Sequence, residues 1–426
     1  MLSAVLATAI VLSEFVYERA PFPAAHASTI VETPDGLVAA WFSGTGEGKP
    51  DVGIWISRKT GALWSAPMQV ADGAQADGTR HPCWNPVLFQ PSRGPLLLFY
   101  KVGPSPRAWW GETRTSTDNG RTWSAAVKLP PGILGPIRAK PVELPDGSLL
   151  AGSSTEDAGW VVHMERFAAD AWRRGGPLND PSEFGAIQPT ILMHSKTRLQ
   201  ILCRSRQGVI TQAWSEDGGD TWSRMAATSL PNPSAGIDAL RLRDGRFLLV
   251  YNPSATGRDK LEIAVSPDGK TWRQAVVLEN APGEYSYPAV IQAADGLVHV
   301  TYTWRRERHQ ARGQWIPRGS VSRPSGLEST HGRPHRARAR GHRDLLQILA
   351  AGSGPAHADE QPRPRGGGAA GGPRRLRRHR QGGAQLGVLR RHRALPARAG
   401  QRARRCSCSP ASRWASSART PTRRAC

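Results

Sequence analysis

The chain of 426 residues carries 57 Lys and Arg against 34 Asp and Glu, a formal net charge of +23, with 39 % apolar residues, 15 Trp and 45 Gly. Residues 309–426 hold 26 Arg, no Lys and 4 acidic residues, hence +22 of that charge, so residues 1–308 are close to neutral and their charge gives no reason to expect a polyanionic partner. The length and apolar content of the first 308 residues exclude a fully disordered chain and suit either one repeat-built domain or two ordinary ones.

In chain order, residues 2–12 are apolar but lack the basic flank of a signal peptide, and they are expected to be an N-terminal extension (1–12) in the form of a strand or of a misplaced start. No run approaches the ~18 apolar residues of a membrane span, so none is expected. The compartment stays open. From Ser13 the chain alternates as a strand does, through Glu14, Phe15, Val16, Tyr17 and Glu18.

A turn flanked by apolar strands then recurs at Pro34-Asp35-Gly36, Ser92-Arg93-Gly94, Pro145-Asp146-Gly147, Ser195-Lys196-Thr197, Arg243-Asp244-Gly245 and Ala294-Asp295-Gly296, with central residues 58, 53, 50, 48 and 51 positions apart. Each reads as a hairpin. A second marker follows at Ser116-Thr-Asp118-Asn-Gly120-Arg-Thr-Trp123 and Ser215-Glu-Asp217-Gly-Gly219-Asp-Thr-Trp222, one residue shorter at Ser266-Pro-Asp268-Gly269-Lys-Thr-Trp272, degenerate from Ser57 to Trp64 with Lys59 in the Asp place, and reduced to Trp172 in a fifth repeat. Asp in this setting caps backbone N–H groups of a tight turn, Gly permits positive φ, and Trp packs beneath, so the marker is a structural staple. Six hairpins and five Trp markers about fifty residues apart predict an all-β chain folded as a six-bladed β-propeller over 13–308. The double glycine of kelch repeats is not what recurs.

The periodic pattern ends in a run from Val298 to Trp304, and the composition turns abruptly to Arg, Ala, Gly and Pro. The sixth blade is therefore expected to be incomplete, closed by residues 13–18, and residues 309–426 are expected to form a disordered tail of the kind a reading-frame change near residue 308 produces. The absence of Lys and the near absence of aromatic residues in this tail argue against nucleic-acid binding.

Cys83 and Cys203 in the body, and Cys406, Cys408 and Cys426 in the tail, form no metal or disulfide pattern, so neither a metal nor a cofactor is expected. Gly44-Thr-Gly46-Glu-Gly48-Lys49 is not a phosphate loop, because Ser43 stands where the first Gly is required and Pro50 where a hydroxyl must reach Mg²⁺.

The S-x-D-x-G-x-x-W marker is the Asp-box, and on it the body resembles the sialidase superfamily of six-bladed propellers, in particular its bacterial branch with BNR repeats. The resemblance implies three arginines for a substrate carboxylate, an acid/base Asp, and a Tyr nucleophile assisted by a Glu, a set whose chemistry suits an anionic sugar. Carried onto this sequence, it implies Arg204 and Arg258 as the second and third arginines, Tyr285 as the nucleophile and Asp51 as the acid. The first arginine is replaced by His26, and Gln188 stands where the Glu is expected. Arg138 and Lys140 add positive charge, and His81, Asn85, Lys101, Trp110, Glu112, Glu156 and Asp238 are expected to line the same funnel.

These positions imply a glycoside hydrolase of exo-α-sialidase type acting on an acidic carbohydrate or glycoconjugate. Two other readings stay open: a uronate-directed lyase in which Tyr285 and His26 move protons, and a glycan-binding propeller without catalysis. The oligomeric state is not legible.

Overall fold

The computed structural model describes residues 9–316. They contain strands, turns and loops and no helix, and the strands form six sheets in ring order. Each sheet is an antiparallel blade, built from strand to adjacent strand outward from an innermost one. The innermost strands are Ala24–Thr33, Cys83–Phe89, Val142–Glu143, Ala186–Met193, Asp238–Arg241 and Tyr285–Gln292, for blades 1 to 6. The chain is thus the six-bladed propeller that its repeat predicts.

The expected gap in the sixth blade is absent. After Tyr285–Gln292 and Val298–Trp304, a third strand, Arg308–Trp315, continues the sheet, and Ala9–Phe15 from the other end of the chain pairs with it as the fourth. The expectation failed because the run after residue 308 was grouped with the Arg-rich tail. In the fold its arginines are partnered structural residues: Arg308 meets Glu18 at 3.3 Å and Arg312 meets Glu279 at 2.8 Å, while His309, Ala311 and Gln314 are buried between them. Any break in the pattern lies beyond this strand. The expectation of a disordered tail falls, from residue 317 onward, outside the described residues.

The Asp-boxes sit in the turns between third and fourth strands. In blade 4, Asp217 accepts the N–H of Thr221 at 2.9 Å and the hydroxyls of Thr221 and Ser215 at 2.5 and 2.8 Å, while the Ser215 hydroxyl accepts the N–H of Gly219 at 2.8 Å. Gly219 has φ of 92°, where a Cβ would come within 2.7 Å of Leu150, so glycine is required on both counts. Trp222 packs against the core of Leu199, Ile201 and Ala213, with its indole N–H on the Gly219 carbonyl at 3.1 Å. In blade 1 the box is degenerate and is used otherwise: Lys59 and the Trp64 indole N–H both bind Glu14 of the closing strand, the latter at 2.8 Å.

Strand direction separates two faces of the ring. Because strands alternate in direction, the hairpin turns and the Asp-boxes lie on one face. The starts of the innermost strands and the loops between second and third strands lie on the other. All the site residues below belong to that second face. Removing the Trp222 side chain should therefore cost about 3 kcal/mol in urea unfolding, and Asp217→Ala about 1–2 kcal/mol through lost turn capping, with no change in ligand affinity for either folded variant.

Candidate functional site

The innermost strands of blades 1, 2, 4 and 6 share one irregularity near their starts. The register slips between His26 and Thr29, Trp84 and Val87, Ile187 and Thr190, and Ser286 and Ala289. Within each slip one non-glycine residue has positive φ: Ala27 at 53°, Asn85 at 42°, Gln188 at 58° and Tyr287 at 53°. A bulge re-aims a side chain at the cost of backbone strain, and four of them here encircle the propeller axis.

The best-surrounded of these residues is Tyr287. The guanidinium groups of Arg204, Arg138 and Arg258 stand 5.4, 5.5 and 5.9 Å from its ring, and the His26 ring lies 4.3 Å away. Arg204 Nη1 donates to the Tyr287 hydroxyl at 2.8 Å and to the Ser234 carbonyl at 2.9 Å. Arg258 donates to that same carbonyl at 3.2 Å and to Glu284 at 3.1 Å, and Glu284 also takes Arg306 at 2.8 Å. Arg306 in turn reaches Glu47 at 2.7 Å. Four arginines, two glutamates, a tyrosine and a histidine thus form one connected cluster, contributed by blades 1, 3, 4, 5 and 6.

Burial and the neighbouring arginines set the electrostatics of the cluster. Burial, with the Arg306 charge next in effect and then those of His309, Arg258 and Arg138, holds His26 well below the usual imidazole range, so it is neutral. His26 Nδ1, Gln188 Oε1 and the Nε atoms of Arg138 and Arg204 are buried without a protein partner among the described residues. Such atoms mark an interior with polar capacity to spare.

The structure brings some sequence candidates together and separates others. His26, Arg138, Arg204 and Arg258 meet at Tyr287. Gln188 occupies the equivalent bulge of blade 4. Arg138 is almost fully buried at 1 % exposure and donates to the Pro288 carbonyl, so it backs the cluster rather than facing outward. The Tyr285 side chain packs in the apolar core that joins blades 5 and 6, while its backbone N–H donates to the Arg258 carbonyl at 2.8 Å. Lys140 is bound to Asp238 at 2.9 Å and to the Ala239 carbonyl at 3.1 Å, which makes both charges structural. Asp51 caps its own loop, accepting the Thr45 N–H at 2.7 Å and hydroxyl at 2.8 Å. Slight burial opposes the shift, but these bonds hold its carboxyl below the usual range.

Of the expected lining groups, Lys101 is fully buried. Burial pushes it down to about 7, and it donates to the Pro136 carbonyl at 2.5 Å beside Glu165. Glu165 in turn accepts the N–H groups of Leu134 and Gly135 at 3.0 and 2.6 Å, and so fixes the segment that leads to Arg138. Glu112 accepts from the Tyr100 hydroxyl and the Trp110 indole, both at 2.8 Å. Glu156 differs from Asp51: burial raises its carboxyl above the ordinary range against the pull of Arg204, a hydrogen bond with Trp160, and Arg206. Trp160 itself lies 5.1 Å from the Arg204 guanidinium and 4.4 Å from that of Arg206.

Sequence reasoning missed Tyr287, Glu284, Trp160 and Arg306. A signal for the first was present, since Tyr287-Pro288 repeats Gln188-Pro189 and Asn85-Pro86, the other bulges with a following proline.

A testable consequence concerns pH. The folded protein keeps His26 neutral and holds buried His309 near 3, whereas both imidazoles titrate near 6.5 once unfolded. Below about 6.5 the unfolded chain takes up protons that the folded chain does not, so these groups lower stability as pH falls, by about 1.4 kcal/mol per pH unit each. Denaturation between pH 6.5 and 4.5 should show a shallower loss in His26→Gln than in the parent protein.

Comparison with known proteins agrees with this architecture. The family model of BNR repeat-like domains matches residues 35–300. Among solved structures, a protein of unknown function from Dyadobacter fermentans is similar at 18% identity and a TM-score of 0.62, over 74% of this chain and 100% of that one. A Hadza microbial sialidase follows at 18% and 0.58, over 68% of this chain and 65% of that one, and a Trypanosoma rangeli sialidase in complex with the inhibitor DANA at 13% and 0.55, over 70% and 56%. No curated protein sequence matches. At these identities the likeness is one of fold.

Proposed function

The chain belongs to the family of BNR repeat-like domains, and on that premise we propose that it is a glycoside hydrolase of exo-α-sialidase type, acting on a glycan that ends in a carboxylate-bearing sugar. The observation that carries this reading is the gathering of Arg138, Arg204 and Arg258 around one tyrosine ring at 5.4 to 5.9 Å, with Arg306 joined to them through Glu284. Four guanidinium groups against Glu284 and Glu47 leave positive charge to spare, and a sugar carboxylate meets that excess with paired, charge-assisted hydrogen bonds. The sialidases of like fold support the same choice of ligand.

In this reading Arg204 and Arg258 hold the carboxylate while Arg138, behind the Tyr287 ring, adds charge without contact. Tyr287 takes the part of nucleophile, its oxygen oriented by Arg204 Nη1 and its proton passing to the neutral His26 ring, 4.3 Å away, as the bond to the sugar forms. The proton for the leaving oxygen comes from Glu156, whose burial keeps it protonated to higher pH than Asp51, a carboxyl tied to Thr45 and held ionised. Gln188 cannot accept the phenolic proton, and this favours a second reading, a propeller that binds the acidic sugar without cleaving it.

Product analysis with sialyllactose separates the two: release of free sialic acid supports hydrolysis, and binding without product supports the second. Arg204→Ala and Arg258→Ala should each weaken binding of free sialic acid by about 2–4 kcal/mol in calorimetry. Tyr287→Phe should bind as the parent does and lose turnover, whereas Tyr285→Phe should keep both. Full turnover in Tyr287→Phe removes the hydrolase reading, and unchanged binding in both arginine variants removes the site.

A further inference from the structure

Blade 3 meets the axis differently from the other blades. Its innermost strand, Val142–Glu143, has two residues, and residues 134–141, which would lengthen it, belong to no strand. Leu134, Gly135, Pro136, Ile137, Arg138 and Ala139 are nonetheless buried there. Buried backbone outside a sheet must find its hydrogen bonds elsewhere.

Three ionisable side chains supply them. Glu165, on the third strand of blade 3, accepts the N–H groups of Leu134 and Gly135 at 3.0 and 2.6 Å. Lys101, on the second strand of blade 2, donates to the Pro136 carbonyl at 2.5 Å, and His163 Nε2 lies 2.8 Å from the Glu165 carboxylate. All three side chains are inaccessible to solvent. The Ile137 N–H, on the Gly152 carbonyl at 3.0 Å, completes the anchoring.

Cohesion alone does not account for this arrangement. Taking a carboxylate and an ammonium out of water is costly, and apolar side chains of similar volume would hold the blades together as well. What charged groups add is direction, because they fasten a chosen stretch of backbone at chosen atoms. The stretch fastened here leads into Arg138, two residues past Pro136. Arg138 donates to the Pro288 carbonyl, and its guanidinium stands 5.5 Å from the Tyr287 ring. A continuous line of contacts therefore runs from Glu165 to the bulge that carries Tyr287.

We propose that Glu165 and Lys101 are positioning residues of the central site, which set the place of Arg138 and through it the aim of Tyr287 toward an acidic sugar. The inference rests on the reading of the centre as an acidic-sugar site and adds the residues that hold its geometry from a distance.

A double-mutant cycle read by calorimetry tests the proposal. Glu165→Gln should bind free sialic acid about fivefold more weakly than the parent, and Arg138→Met should lose at least as much. Combining the two should cost no more than Arg138→Met alone, because the first change acts through the second; a merely structural role makes the losses multiply. Glu165→Gln strips Lys101 of its opposite charge and can fail to fold for that reason alone. Lys101→Met combined with Glu165→Gln leaves no unpaired charge, so it should keep most of the parent's stability in urea while affinity stays about fivefold down, Pro136 having lost its donor. Multiplied losses in the cycle, or parental affinity in the folded Lys101→Met and Glu165→Gln combination, overturn the proposal. If the parent does not bind sialic acid, the acidic-sugar reading fails, and crystal structures of the ligand-free variants decide the positioning. Displacement of Arg138 from the Pro288 carbonyl then supports it, and an unmoved Arg138 overturns it.

Discussion

Each innermost strand turns one unpaired edge toward the propeller axis, and the hydrogen bonds that satisfy those edges hold everything above them. A buried N–H without an acceptor is costly, and these strands solve the problem with side chains from neighbouring blades. Thr29 of blade 1 accepts the Leu88 N–H of blade 2 at 3.2 Å, Thr190 of blade 4 accepts the Ala239 N–H of blade 5 at 3.1 Å, and Asp238 of blade 5 accepts the Val290 N–H of blade 6 at 2.9 Å. Asp238 also takes the Thr190 hydroxyl at 3.0 Å and the Lys140 ammonium at 2.9 Å, so one nearly inaccessible carboxylate joins blades 3, 4, 5 and 6. Breaking such a pair from one side strands the other charge in the interior. Thr190 follows Gln188 by two residues and Val290 follows Tyr287 by three, so this node anchors the strands close to both bulges.

Closure of the ring imposes a second constraint. A propeller whose last blade ended in an open edge would expose a row of backbone groups, and here the first strand of the chain covers that edge. Glu14 then couples the closing strand to blade 1, in place of an Asp-box that blade 1 lacks. The degenerate box is therefore a site of closure rather than a decayed repeat.

The fold was legible because it repeats: a turn and a staple recurring every fifty residues declare the number of blades whatever the intervening residues are. The third strand of blade 6 escaped notice because Arg308 and Arg312 resemble the tail in composition, and only Glu18 and Glu279, distant in sequence, reveal them as partnered. The site was harder to read. By the period of two that governs a strand, Tyr285 and Tyr287 belong on one face; the bulge at Tyr287 breaks that period and sends one into the core and the other to the arginines. The pairing of Lys140 was not legible for a similar reason, since its partner Asp238 lies 98 residues away and nothing local betrays it. Asp51 could have been suspected, because Thr45 is near enough in sequence to share a capped loop.

The two departures from the sialidase pattern are better understood together than apart. Relative to that pattern, His26 removes a positive charge and Gln188 removes a negative one, and because burial keeps His26 neutral the exchange leaves the charge of the funnel unchanged. Either change alone would have altered it by one unit, in a place where Arg138, Arg204, Arg258 and Arg306 stand with Glu284 and Glu47, and where Asp238 and Glu156 also act on Arg138 and Arg204. The excess of positive charge therefore survives. What changes is its position: with a neutral ring packed 4.3 Å from Tyr287, the remaining guanidinium groups that are not fully buried come from blades 4, 5 and 6, so the positive charge lies to that side of the axis. In the proposed reading, binding strength and proton transfer therefore rest on different residues of this funnel, the first on the arginines and the second, because of the amide at Gln188, on groups elsewhere.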